Sequence, residues 1–198
     1  MEDKPINPEE SLQIIHGMIE KTKQNIVYRS SDYLLLWGWL VLIACLAQYF
    51  LLTVIHYRYH YYAWHLMWLG AIGSVYLFLR DRKVRPVRTY IDESVSSLWI
   101  GIILMYFSLG FILAYLNYWE HGFAFYMLLY ALGTFVTGRI IRFRPLVYGA
   151  FVCFIFAWLS LFLSYENQIL LNAAAIIASY LIPAYLLKNK MRTAHETA

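Results

Sequence analysis

Between residues 34 and 187 the sequence is a succession of apolar runs, and its charged residues fall in the gaps between them. The densest gap is Arg80-Asp81-Arg82-Lys83-Val84-Arg85-Pro86-Val87-Arg88, which places five cationic side chains between two such runs. A chain built this way has few folds open to it. Apolar runs of this length call for a hydrocarbon solvent, and in hydrocarbon every backbone polar group has to be satisfied within the element, which leaves helices as the spanning structure. Charged residues make up 14% of the chain, against roughly 25% in an ordinary soluble domain.

The runs predict six spanning helices, at 34–55, 62–79, 98–118, 123–137, 146–165 and 169–187. The first is long enough to cross about 30 Å of hydrocarbon at about 1.5 Å per residue, whereas the fourth is short and needs a few neighbouring residues. Cationic residues near a membrane stay on its cytoplasmic side, so their distribution tests the assignment. Four lie in the N-terminal segment, five in the loop at 80–88, three in Arg139-Ile140-Ile141-Arg142-Phe143-Arg144 and three after residue 187, leaving Arg58 alone on the opposite side. The expected fold is therefore all-α: a six-transmembrane-helix bundle with an N-terminal cytoplasmic amphipathic helix and both termini cytoplasmic. The expected organisation is 1–32 as that helix, 33–187 as the bundle and 188–198 as a cytoplasmic tail. The N-terminus lacks a signal-peptide pattern, so the first span is expected to serve for targeting.

Asn7-Pro8-Glu9-Glu10 is a helix start, with a capping side chain, proline in the first turn and carboxylates at the positive end of the dipole. Leu12, Ile15, Ile19 and Ile26 recur at helical spacings, Met18 widens the stripe, and Ser30-Ser31-Asp32 is expected to interrupt the helix before the first span. The stripe admits three uses: lying in the membrane interface, packing beneath the protein's own loops, or pairing with another helix from a second copy or a cytoplasmic partner. Leu12, Ile15, Met18, Ile19 and Ile26 are thus the candidate partner-binding residues.

Mid-membrane ionisable groups mark ion paths and proton relays, and the centres of the six runs contain none. The polar residues that do enter them, Gln48, Asn117 and Asn172, lie toward the extracytoplasmic ends, near Glu120 and Glu166. These five form either a ligand pocket in the outer half or a set of interhelical hydrogen bonds. His56, His60 and His121 offer imidazoles for a metal, although Tyr57, Tyr59, Tyr61, Tyr62, Trp64 and Trp68 around the first two read as an interfacial aromatic belt. Gly122 is expected to supply unusual backbone angles in the tight turn after the third span, and Pro183 to bend the sixth. Cys45 and Cys153 sit inside apolar runs as small hydrophobes.

No hydrolase, phosphate-cradling or redox motif occurs, so no catalytic residues and no cofactor are expected. The basic balance of +4 follows the segment ends and comes with no nucleic-acid-binding pattern. At Glu10-Ser11-Leu12, Met18-Ile19, Leu36-Trp37-Gly38-Trp39 and Arg142-Phe143-Arg144-Pro145-Leu146 the chain resembles an uncharacterised family of small bacterial multi-pass inner-membrane proteins. That resemblance implies a bacterial inner-membrane location and no mechanism. The expected role is non-enzymatic, by interaction or ligand sensing among membrane lipids, as a homo-oligomer or with a protein held by the N-terminal helix; the alternative is a small transporter or channel using the outer pocket.

Overall fold

The computed structural model describes residues 8–84 and 90–196, with side-chain surroundings for 30–83 and 90–189. The described residues form helices and their connections: α1 (Pro8–Thr53), a 3-10 segment (His60–Leu66), α2 (Met67–Val84), α3 (Tyr90–Leu116), a 3-10 turn (Trp119–His121), α4 (Gly122–Ile140), α5 (Arg144–Ser160), α6 (Tyr165–Ile176), a π segment (Ile177–Leu181) and α7 (Ile182–Glu196). Five stretches are long and apolar enough to cross a membrane: Ser30–Thr53, His60–Lys83, Tyr90–Leu116, Trp119–Ile140 and Tyr165–Asn189.

Several boundaries differ from expectation, and three of these differences shape the core. Ser30, Ser31 and Asp32 do not break the first helix, and α1 continues through them for 46 residues. These polar residues are accommodated laterally: Ser31 is buried and Asp32 accepts a 2.8 Å bond from Arg80 of α2. The short apolar helix is α5, with 17 residues, and not α4, because the chain turns at Leu161–Leu163 through hydrogen bonds to Trp158, Leu159 and Ser160. Tyr165, expected to end the fifth span, instead opens α6 behind an extended Ser164 whose carbonyl accepts the Gln168 N–H.

The core lies among α1, α4, α5 and the α6–α7 helix. Close backbone approach is decisive at Gly149 of α5, where an added Cβ would lie 2.6 Å from the Ala178 carbonyl oxygen and 2.9 Å from Ser179 Cα. Those atoms belong to the π segment, which precedes Pro183. The proline has no N–H for the Ser179 carbonyl, and its ring crowds that carbonyl, so the expected bend is taken up as a widened turn. In the apolar windows of α2 and α3 only 6% and 11% of residues are buried, against 44% for α4 and 56% for Tyr165–Asn189. These two helices are peripheral: α2 packs on α1, with Leu36 and Trp37 against Gly73 and Gly70, and α3 packs on α4, with Ile102 and Trp99 against Gly133.

The expected stripe Leu12, Ile15, Met18, Ile19 and Ile26 lies on α1, but its side chains are outside the described residues, as are residues 85–89 of the arginine loop.

Candidate functional site

Gln48 faces inward from α1, just over a helical turn before its end, and is 1% exposed. A buried primary amide in an apolar bundle is costly unless its donors and acceptor are matched. Here they are matched across three elements. Gln48 Nε2 donates to Tyr165 Oη at 3.0 Å and lies 3.1 Å from His60 Nδ1, while Trp64 Nε1 donates to Gln48 Oε1 at 2.7 Å. The amide nitrogen is a donor, so His60 Nδ1 accepts and the ring proton sits on Nε2. Tyr165 opens α6, and His60 and Trp64 come from the 3-10 segment, which folds back onto the end of α1. Ring contacts between His60 and Tyr165, Tyr165 and Phe123, and Trp64 and Phe123 close the cluster over the amide.

A second group of buried polar side chains, Gln168 and Asn172, belongs to α6. Asn172 Nδ2 contacts Cys45 Sγ at 3.2 Å, and Gln168 Nε2 donates to the Leu163 carbonyl at 3.0 Å. Gln168 Oε1 and Asn172 Oδ1 are buried without a partner, one helical turn apart on α6. They leave two buried amide oxygens on α6 without a proton donor, the kind of group that a small polar molecule satisfies.

Of the five expected pocket residues, Gln48 and Asn172 are thus buried on facing helices, while Asn117, Glu120 and Glu166 are exposed and join neither group. Asn117 has a different task. It takes φ 53 immediately after α3, where its N–H bonds the Ala114 carbonyl and the Tyr118 N–H bonds the Leu113 carbonyl. This is a helix C-terminus closed by a left-handed residue. Gly122, given that part by the sequence reading, has ordinary helical angles at φ −57. Glu166 sits in the first turn of α6, at the positive end of its dipole.

The three candidate metal ligands are used separately. His56 Nδ1 is 3.1 Å from the Leu52 carbonyl in another left-handed helix end, His60 belongs to the Gln48 network, and His121 lies against the Tyr118 ring. Among the described residues no three His, Cys, Asp or Glu side chains are grouped to hold a metal ion.

Sequence reasoning passed over Tyr165 and Gln168. The signal that could have found them was Ser164 as a helix start, which sets Tyr165, Gln168 and Asn172 at spacings of three and four on one face. Comparisons with family models, curated proteins and solved structures find no match for this chain.

Proposed function

We propose that this chain is a non-enzymatic, multi-pass protein of a bacterial inner membrane, with both termini cytoplasmic, that works by interaction through the helix leading into its first span. The observation that carries this reading is the continuity of α1. Of its 46 residues, 24 form the apolar stretch Ser30–Thr53 and the remainder continue the same helix beyond it. At about 1.5 Å per residue, residues 8–29 extend about 33 Å with no joint at 30–32. A partner held on that extension is coupled mechanically to the bundle. The spacing of Leu12, Ile15, Met18, Ile19 and Ile26 supplies the apolar stripe on which a second helix, from another copy or another cytoplasmic protein, would pack.

A transporter or channel with an outer polar pocket draws less support, because Gln48 is enclosed and fully bonded within the protein. The test is to compare the full chain with a chain lacking 8–29 and with the double variant Ile15→Asp, Ile19→Asp, by in-cell cross-linking and light scattering of the purified protein. Loss of the cross-linked species from both variants, with an unchanged unfolding temperature of the bundle, is the expected result. Association that survives in both variants would refute the reading.

A further inference from the structure

At the end of the bundle that carries Arg80 and the α4–α5 turn, Arg142, Phe143, Arg144, Pro145 and Leu186 line an open surface depression of about 430 Å³. The contrast with Arg80 is informative. Arg80 is bonded to Asp32 and Asp81 and clamps α2 to α1, whereas Arg142 and Arg144 are exposed and have no ion-pair partner among the described residues. Arg142 on the α4–α5 turn and Arg144 at the start of α5 present two cations two residues apart, a locally positive surface that favours an anion.

The backbone holds this pair in place. Arg142 has φ 55, fixed by the Phe143 N–H on the Gly138 carbonyl at 2.9 Å and the Arg142 N–H on the Arg139 carbonyl at 3.3 Å. Glycine or asparagine takes this conformation most readily, and here it carries a guanidinium. Arg144 and Pro145 open α5, whose first turn has no side-chain cap, so the positive end of its dipole adds to the same field. Leu186 forms an apolar wall, and exposed Tyr148 continues along α5 toward the middle of the bundle.

We propose that this depression binds the phosphate of an anionic membrane lipid. A guanidinium pair recognises phosphate oxygens by charge-assisted, bidentate hydrogen bonds, and the turn joins two apolar helices at the level where headgroups meet hydrocarbon. The apolar wall then takes the start of an acyl chain, which a free anion would leave bare.

The test uses the full chain, purified in detergent with equal amounts of phosphatidylglycerol and phosphatidylcholine, with retained lipid counted by native mass spectrometry. The wild type should retain phosphatidylglycerol in preference to phosphatidylcholine by about tenfold. The double variant Arg142→Asn, Arg144→Gln, in which asparagine keeps the left-handed turn, should lose that preference. The variant Arg142→Lys, Arg144→Lys should retain part of it, and Arg139→Gln, which changes a nearby cation outside the depression, should leave it intact. Should the double variant fail to fold, Arg144→Gln alone, outside the left-handed position, gives the same readout. Equal retention of the two lipids by the wild type would overturn the proposal. So would an equal loss in Arg139→Gln, which would mean diffuse surface charge, or displacement of phosphatidylglycerol by excess inorganic phosphate, which would mean a site for the free anion.

Discussion

Gln48 and Asn172 are both buried primary amides on facing helices, yet they stand in opposite energetic positions. Gln48 has partners for its nitrogen and its oxygen, so replacing it leaves Trp64 Nε1, Tyr165 Oη and His60 Nδ1 without theirs. At about 0.6 kcal/mol for an average hydrogen bond between membrane helices, three bonds predict that Gln48→Leu destabilises the bundle by about 2 kcal/mol. Asn172 makes one weak contact to sulfur and leaves Oδ1 unpartnered. Asn172→Leu removes that orphan together with the weak bond, and stability should change by less than about 0.5 kcal/mol or rise. Reversible denaturant titration of the purified variants measures both. A loss in Asn172→Leu equal to that in Gln48→Leu would mean that Oδ1 holds a bound water or solute whose bonds the substitution breaks.

At the scale of the element, the helix ends are set by residues that a composition reading treats as polar decoration. Asn117 closes α3 in the left-handed conformation, so Asn117→Gly should be neutral or stabilising, whereas Asn117→Val, β-branched at positive φ, should cost more than about 1 kcal/mol. Thermal unfolding of the two variants separates this backbone role from a ligand role, in which both substitutions would abolish binding and neither would follow the order of strain. Glycines divide in the same way. Gly149→Ala forces a methyl against the backbone of the π segment and should cost about 1–3 kcal/mol, while Gly101→Ala, with nothing within 4 Å, should gain up to about 1 kcal/mol of helix propensity. The number of apolar helices was legible in the alternation of apolar runs with cationic gaps, because hydrocarbon leaves the chain little choice. The boundaries were less so. A tyrosine such as Tyr165 suits a span's end and a helix's first turn equally well, and placing it in α5 hid the face that it shares with Gln168 and Asn172. Ser30-Ser31-Asp32 read as a break because local propensity says nothing of Arg80, 48 residues away, which satisfies Asp32 without interrupting the helix.

At the scale of the whole molecule, the bundle is unevenly held. α4, α5 and the α6–α7 helix share a core, while α2 is attached to α1 by a narrow seam of Gly70 and Gly73, the Trp37–Ser74 hydrogen bond and the Arg80–Asp32 ion pair. Local stability follows local contact, so α2 should open at a lower free energy than α4 or α5. The ion pair is the part of this seam that can be removed without changing shape. Asp32→Asn keeps the side-chain volume and abolishes the charge, and for a pair in which the arginine remains 39% exposed the loss should be about 1 kcal/mol. That energy corresponds to roughly a fivefold rise in the opening of α2 and leaves α4 and α5 unaffected, if the seam acts independently of the core. Hydrogen exchange in detergent, resolved by peptide, reads the two regions side by side. Faster exchange confined to 67–84 is the expected outcome. A uniform increase across α4 and α5 would mean instead that α2 and the core open as one cooperative unit, and that the seam carries the stability of the whole bundle.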